Sequence, residues 1–553
     1  MVFSFADFKK NKLILFMYLK IKFKNLWRKK SPIFKWQISG NFPKKPLVRP
    51  IDPWKGSLKR GEKSFLSHPK FISESYWNSF EWLRDLKELQ SEKSGVKSRE
   101  LIREWHENNN DWDEIVWSPV MISKRLSNIL FCYGNFADSA DPNFQEELMK
   151  NFATQARCLE LDFQGKINPR DILYTLVGKM ASRVCLSKES RDIDEVISEV
   201  IIETKKVINE DGMHFSRKPQ LQLEVLRIII EIQYLGRSKS EKTRKEYNEI
   251  VQKVASCSKM LQHPNGSIVN INGGCNLEKE FISQIIEKSG SSIKSFSGIT
   301  KDGFAKLSQK STSMIIDLGS PINTAKNWHA GTFSFELCHG KNLIIVNSGF
   351  LDIDTTWSNA LRGTSAHSTL SIDGKNSSSL DEGKNPKRIA KVIQKSYEKT
   401  NEGLKVSATH NGYYLGYGIY HTRELLISKD GDKISGNDEL KYQGAPGNIP
   451  LLADIRFHLC PDLKAAQVLS GDILLRLKNK TGWIFKVKNL IPKLKESIFI
   501  KDGDIMKTEQ IVFSLPLGDL RSRGSKTLQW AVSYTHLRAH ETVLDLVCRL
   551  LLE

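Results

Sequence analysis

The chain changes its hydrophobic period about halfway along, and this change constrains the fold more than any other feature. Between about residues 70 and 265, apolar residues recur every three or four positions, which is the spacing of an amphipathic helix. After about residue 295, short runs alternate apolar and polar residues, as in a strand with one buried face. The sequence therefore predicts a helical domain followed by a β-rich domain.

The helical half is predicted to consist of antiparallel hairpins. The run FEWLRDLKEL (80–89) places Trp82, Leu83, Leu86 and Leu89 on one stripe. Further helices are predicted at 98–108, 117–136, 143–160, 168–186, 191–209, 219–236 and 240–262. Helix pairs joined by short polar breaks indicate an α/α array.

Five tryptophans in this half allow two interpretations. Their faces could line a sugar-binding groove, but packing in the core at helical spacing is the favoured alternative. They are Trp77, Trp82, Trp105, Trp112 and Trp117.

The second half has the pattern of an antiparallel sandwich with many strands. Asp430 with Gly431, and Asp502 with Gly503, are turn pairs of β-hairpins. Gly340 and Gly482 fit the same role. Few helical patterns interrupt the strands, so a parallel βαβ sheet is excluded. The polar stretch 288–297 is the predicted boundary between the two halves.

The charge of the chain is concentrated at its N-terminus. Residues 1–50 hold thirteen Lys or Arg and one acid, whereas the net charge of the whole chain is +20. We expect residues 1–40 either to lie on an anionic membrane surface or to form a solvated arm. No nucleic-acid partner is expected, because the sequence shows no known nucleic-acid motif. The eight cysteines form no CxxC pair, which excludes a zinc ribbon and favours free buried thiols.

Three segments contain polar residues that a simple fold does not require. They are DGMHFSRKP (211–219), NWHAGTFSFEL (327–337) and RGTSAHSTLSIDG (362–374). Two histidines and an oxygen donor on neighbouring strands can form a metal site, although a single histidine is more often structural. The candidate residues are His214, Arg217, His329, Asn347, Arg362 and His367.

At these segments the sequence resembles a known family. The tract IIDLGSP…WHAGTFSFEL…LIIVNSG…RGTSAHSTLSIDG looks like the C-terminal domain of the heparinase II/III-like family, and DGMHFSRKP resembles that family's DGGH-type motif. The resemblance covers about residues 50–532. It implies an incomplete α/α toroid (51–285) and an antiparallel β-sandwich (295–532), after a basic arm at 1–50.

The resemblance also implies a chemistry. Known members are polysaccharide lyases that cleave uronate-containing glycans by β-elimination, in a cleft between toroid and sandwich. The implied partner is thus an acidic polysaccharide, and the implied location is the bacterial cell envelope or periplasm. No clear signal peptide supports that location, since the apolar run at 13–19 is followed at once by lysines.

The metal site that the resemblance implies is altered in this sequence. His329 and His367 match metal-ligand histidines of the sandwich, which implies one zinc ion. Asn347 falls where lyases carry an Asp ligand, and Gly331 replaces an Asp. Because Asn is neutral, it is a weaker ligand than Asp.

The implied catalytic set is only partly present. His214 matches the toroid histidine, and Asn327 stands where lyases often have a second catalytic histidine. Residues 220–222 lack the tyrosine expected there.

Four other side chains are candidates with an open structural alternative. Arg217 or Arg362 could neutralise a substrate carboxylate, or pair with an acidic residue of the fold. Tyr413 or Tyr414 could supply a phenol, or be an ordinary strand aromatic.

Three functions follow as alternatives. The first is a polysaccharide lyase of the cell envelope. The second is a catalytically divergent glycan-binding protein on the same fold. The third is a basic, membrane-associated scaffold for envelope polymer assembly. Residues 533–553 look like a segment that ends many unrelated sequences, so we assign them no function; a true C-terminal helix is the alternative.

Overall fold

The structure is a computed structural model. It describes residues 27–28, 31–164, 167, 171–187, 189–274, 277–322, 328–351, 355–380, 388–444, 450–479, 481–501 and 503–535. Most of the predicted basic arm and of the tail after 532 therefore lies outside the described residues. The chain divides into two compact units: residues 1–206 with 227–251, and residues 207–226 with 252–553. The domain boundaries given above stay predictions.

The helices follow the predicted periodicity closely. They are α1 (Pro32–Ile38), α2 (Leu58–Leu66), α3 (Glu74–Ser79), α4 (Trp82–Lys87), α5 (Glu92–Asn108), α6 (Pro119–Phe136), α7 (Pro142–Gln164), α8 (Ile172–Leu186), α9 (Ser190–Val207), α10 (Pro219–Leu235), α11 (Glu241–Met260) and α12 (Lys279–Lys288). Proline opens α6, α7 and α10, where its missing N–H leaves no helical bond unmade.

The predicted helix at 80–89 is shorter than expected. Phe80 has a left-handed backbone with φ of 61° and ends α3, so α4 starts afresh at Trp82. The five tryptophans considered between residues 70 and 265 are all buried, which supports the core-packing interpretation. Trp77 stacks on Trp82 at 5.7 Å between ring centroids, and the Arg125 guanidinium lies 4.4 Å from the centre of the Trp105 ring.

The second unit contains two antiparallel sheets. Their strands are β1 (Phe304–Gln309), β2 (Thr312–Asp317), β3 (Phe335–His339), β4 (Asn342–Val346), β5 (Leu370–Ile372), β6 (Val392–Lys399), β7 (Gly403–Tyr413), β8 (Ile419–Ser428), β9 (Lys433–Tyr442), β10 (Leu452–Leu459), β11 (Lys464–Gln467), β12 (Ile473–Arg476), β13 (Gly482–Val487), β14 (Lys493–Lys501), β15 (Asp504–Pro516) and β16 (Ser525–Thr535). The first sheet has the order β1-β2-β3-β4-β10-β15-β14, with β5 paired to β10. The second has the order β11-β12-β13-β16-β9-β8-β7-β6. Three short helices accompany them: α13 (Thr355–Arg362), α14 (Tyr414–Tyr417) and α15 (Leu520–Arg523).

The predicted hairpin turns occur where glycine was expected, with one exception. Gly431 joins β8 to β9 with φ of 76°, and Gly340 joins β3 to β4 with φ of 55°. Gly503 precedes β15, whereas Asp502 lies outside the described residues. The prediction for Gly482 is wrong, because this residue begins β13. The turn before it is held instead by Asn479, whose side-chain oxygen accepts the Thr481 N–H at 3.2 Å.

One apolar core joins the two sheets. Strands β8 and β9 alternate buried and half-buried residues, as the period of two requires. Phe335 and Phe457 of the first sheet pack on Trp530 of the second, with centroid distances of 5.9 and 4.7 Å. The sandwich therefore has a shared interior, as the sequence predicted. Within the described residues, none of the helices combines the length and apolar character that crossing a membrane requires.

A buried ionic network lies inside this core. The Asp438 carboxylate accepts hydrogen bonds from His421, Arg423 and Trp530, with the shortest at 2.7 Å. The Arg423 guanidinium also donates to the carbonyl of Ser368 at 3.0 Å. The network thus connects the centre of the second sheet to the residue after His367.

Candidate functional site

The predicted DGMH segment forms a tight loop in the second unit. The Asn209 side-chain oxygen accepts the N–H groups of Asp211, Gly212 and Met213 at 2.9 to 3.1 Å. Gly212 has φ of 96°, and a Cβ there would lie 2.4 Å from the backbone of Lys253. Only glycine fits this position, so the loop is fixed immediately before His214.

His214 is held as a neutral imidazole with a defined tautomer. Its Nδ1 accepts the Ser216 N–H at 3.1 Å and lies 2.7 Å from the Ser216 hydroxyl. A backbone N–H can only donate, so Nδ1 is unprotonated and Nε2 bears the proton. Burial lowers the pKa of His214 to about 4. The ring stacks on Phe215, which is 47% exposed. The loop therefore fixes a buried imidazole, 7% exposed and with its proton on Nε2, beside an exposed aromatic ring.

Arg217 forms the structural ion pair that the sequence left open. Its guanidinium is buried against the Asp317 carboxylate and donates to the Ser320 carbonyl at 2.7 Å. Its backbone is left-handed, with φ of 59°. A Cβ on Gly319 would lie 2.5 Å from the guanidinium, so glycine makes room for it. Because the charge is already neutralised inside the protein, we do not retain Arg217 as a group that binds substrate.

His329 and His367 lie next to each other. The distance from His329 Nδ1 to His367 Nε2 is 3.1 Å. His367 Nδ1 lies 2.7 Å from the Gly363 carbonyl and must donate to it, which leaves His367 Nε2 unprotonated. Burial lowers the pKa of His367 to about 4 and that of His329 well below its ordinary value. Two neutral imidazoles thus share one buried site.

Asn347 is fixed by a carboxylate that the sequence reasoning missed. Glu336 is 1% exposed, and its Oε1 accepts the Asn347 N–H at 3.0 Å. Its Oε2 accepts the Asn270 N–H at 3.1 Å and contacts His263 Nε2 at 2.9 Å. The Asn347 side-chain oxygen accepts the Ser368 N–H at 2.9 Å. Asn347 is therefore fixed between Glu336 and the residue after His367.

The segment NINGG (270–274) connects the two parts of the site. The Asn272 amide donates to Asp317 at 3.1 Å, and Asp317 pairs with Arg217. The next residue, Gly273, is so close to the histidine pair that a Cβ there would lie 3.7 Å from His329 Nε2. The only sequence signal for this segment was its run of Asn and Gly after a predicted helix, which our sequence reasoning did not use.

The remaining candidates serve the fold or are not described. Tyr413 is buried, donates to the Leu370 carbonyl at 2.9 Å and has a pKa raised by burial. Of the two alternatives given for Tyr413, the structure therefore supports the ordinary strand aromatic. Tyr414 packs beside Tyr420. Arg362 is buried and donates to the Trp328 carbonyl at 2.9 Å. Asn327 lies outside the described residues.

The histidine pair fits two ligand positions of a zinc site. Two nitrogens on a tetrahedral zinc lie about 3.3 Å apart, close to the observed 3.1 Å. The bond from His367 Nδ1 to a carbonyl is the usual support of a ligand histidine. Within the described residues, no group of three His, Cys, Asp or Glu side chains is placed to hold a metal ion. A zinc ion would therefore need Asn347 or a water molecule as a further ligand.

Gly331 is explained by the same geometry. A Cβ at this position would lie 2.5 Å from His367 Cδ2. The Asp that the resemblance implies at this position could not coexist with the observed position of His367. The glycine therefore allows His367 to approach His329.

The comparisons with known proteins agree with this architecture. Residues 295–531 match the family described as Heparinase II/III-like, C-terminal. The heparan sulfate lyase HepC from Pedobacter heparinus is similar, with 16% identity over 94% of this chain and 88% of that chain, at a TM-score of 0.61. A heparinase III is similar over 90% of this chain and 87% of that chain, with 13% identity and a TM-score of 0.64.

At this level of identity the likeness shows the fold alone. The predicted fold class, an incomplete α/α toroid followed by an antiparallel β-sandwich, is confirmed. The comparison with curated proteins gave no match.

Proposed function

We propose that the protein binds a uronate-containing polysaccharide and cleaves it by β-elimination, because residues 295–531 match the Heparinase II/III-like C-terminal family. Similar structures include a heparan sulfate lyase, which supports an acidic glycan as the substrate class. The observation on which the proposal depends most is His214, a neutral imidazole that offers Nε2–H from a fixed loop.

The elimination defines what the site must do. A base takes the proton from C5 of the uronate, a C4=C5 double bond forms, and the C4–O bond breaks with protonation of the leaving oxygen. The C5 proton becomes acidic only when the neighbouring carboxylate is neutralised. We assign that role to His214, whose Nε2–H can donate to the carboxylate. Phe215 beside it offers an exposed face for the sugar ring.

We also propose that His329 and His367 bind zinc, with Asn347 as the neutral third ligand. When bound, the ion would supply positive charge that polarises or orients an anionic substrate. In this structure His329 Nδ1 donates its proton to the unprotonated His367 Nε2, so His329 would have to carry its proton on Nε2 instead for both facing nitrogens to bind the ion. Zinc content after purification in metal-containing buffer, measured by mass spectrometry, tests this assignment. His329→Ala and His367→Ala are each expected to lose the ion, and retention of zinc by both variants would contradict it.

Specific observations favour a second candidate, a glycan-binding protein that does not cleave. Within the described residues, none of the candidate side chains offers an accessible, unprotonated base. His214 bears its proton on Nε2, all three histidines are buried, and the Tyr413 phenol is bound to a carbonyl. In this alternative, the same donor and aromatic ring bind the glycan without proton abstraction.

One assay separates the two candidates. The protein without residues 536–553 is incubated with a panel of uronate polysaccharides while ultraviolet absorbance is followed, because elimination leaves a conjugated unsaturated uronate. The lyase is supported if the absorbance rises with the unaltered protein but not with the His214→Gln variant, and if the two proteins have the same thermal stability. His106→Gln is the matched control, since His106 is half-buried and its pKa is also lowered by desolvation to about 4. A flat trace together with glycan binding supports the second candidate.

A further inference from the structure

The sandwich has a second concave site beside the histidine pair. It is a groove of about 740 Å³ that lies between α13 and strands β10, β14 and β15. We call it the outer groove and define it by Trp357, Ser365, His458, Ser497, Thr508 and Gln510. Its volume falls within the range of about 300–1,000 Å³ that is usual for ligand pockets.

The side chains at the centre of the groove are uncharged. His458 lies opposite Gln510, and Ser497 lies opposite Thr508, in the antiparallel ladder. These four side chains therefore share one face of the sheet. Burial lowers the pKa of His458 to about 3, so it is neutral near pH 7. Charged residues surround this centre: Glu496, Lys507 and Glu509 line the groove, and Lys495 lies opposite Gln510 on the same face of the sheet. Two lysines and two glutamates offset each other, so the border adds no net charge.

The hydroxyl groups on this face donate their hydrogen bonds to other groups of the protein. His458 Nε2–H donates to the Ser365 carbonyl at 3.0 Å, so its Nδ1 accepts the Ser497 hydroxyl proton at 2.7 Å. The Thr508 hydroxyl donates to the Leu459 carbonyl at 2.7 Å. The oxygens of Ser497 and Thr508 keep lone pairs and act as acceptors. A ligand must therefore bring its own O–H or N–H donors, whereas a carboxylate or sulfate would face oxygen lone pairs.

An aromatic ring completes the groove. Trp357 of α13 lines it and is 37% exposed. We propose that the outer groove binds a neutral oligosaccharide, with Trp357 as the platform for a sugar ring and Ser497 and Thr508 as acceptors for its hydroxyls. The ligand differs in charge from the acidic substrate proposed above. The inference therefore stands even if the proposed lyase activity fails.

The test is isothermal titration of the full-length protein with four probes: cellohexaose, maltohexaose, mannohexaose and chitohexaose. We expect at least one to bind, and we expect Trp357→Ala to weaken that binding about tenfold, as loss of an aromatic contact does. Trp36→Ala is the matched control, because Trp36 is 75% exposed and lies in α1. Thr508→Val, which removes one acceptor without removing the platform, is expected to weaken the same ligand.

Three results would overturn the proposal. One is that none of the four probes binds at millimolar concentration. Another is that Trp357→Ala and Thr508→Val both bind as the unaltered protein does. The third is that an acidic oligosaccharide displaces the neutral one, which would make the groove part of the acidic-substrate site. Thermal melts of both variants check folding, and the absorbance assay for elimination is run separately.

Discussion

Replacing Gly331 by alanine tests whether this glycine allows the histidine pair to form. The new Cβ would lie 2.5 Å from His367 Cδ2, which is 0.9 Å short of the 3.4 Å where ordinary contact begins. The Gly331 carbonyl also accepts the Ser334 N–H at 2.9 Å, which restrains the backbone. We therefore expect the His367 ring to move, and its contact with His329 to be lost.

The expected cost follows from the size of this clash. Forcing an extra methyl group into a packed interior costs about 1–3 kcal/mol, and loss of the hydrogen bond between the imidazoles adds about 1 kcal/mol. The free energy of unfolding of the Gly331→Ala variant should thus fall by about 2–4 kcal/mol in urea titrations. Zinc affinity, measured by competition with a chromogenic chelator, should fall in the same variant.

Gly518→Ala is the control for this prediction. Gly518 has no atom within 4 Å of its ideal Cβ, so the substitution should change the free energy of unfolding by less than about 0.5 kcal/mol. If Gly331→Ala also stays within about 0.5 kcal/mol and keeps its zinc affinity, the steric reasoning is refuted.

Three further predictions concern buried polar groups. Asn347→Asp would place a second carboxylate beside Glu336, so we expect metal-free stability to fall by about 1–3 kcal/mol in urea, and zinc binding to tighten about tenfold in chelator competition. Arg217→Met would leave the buried Asp317 unpaired and should cost about 3–5 kcal/mol by urea titration, with partial recovery on adding Asp317→Asn. Because burial lowers the pKa of His458 to about 3, below its ordinary 6.5, the unfolded chain binds more protons between these values. The free energy of unfolding should then fall as the pH falls through this window, by up to about 1.4 kcal/mol per pH unit, and His458→Gln should reduce that slope in urea titrations from pH 7 to pH 4.

The fold could be predicted because its signals are local. The helix predicted at 219–236 runs from Pro219 to Leu235, since a proline at the first turn and an apolar stripe fix both its start and its face. The hairpin at Gly431 was found because its turn needs a left-handed residue. Phe80 shows the limit of this reasoning. Packing determines the left-handed conformation of this bulky aromatic residue. A periodic sequence pattern does not reveal such packing.

The site could be predicted only in part, because its partners are distant in sequence. His329 and His367 were found through the resemblance, and the structure brings them together. Glu336 looked like an ordinary polar position of an alternating strand, yet its partner His263 lies 73 residues earlier. The tautomer of His214 depends on the backbone N–H of Ser216, which no side-chain motif reveals.

The ends of the two sheets bear on how the protein behaves at high concentration. Strand β6 ends the second sheet and β14 ends the first, and unpaired strand edges can recruit other chains into aggregates. Both edges are rich in lysine: Lys395 and Lys399 lie in β6, and Lys493, Lys495 and Lys501 lie in β14. Two molecules that met edge to edge would bring these charges together. These five lysines thus act against self-association through the two edges.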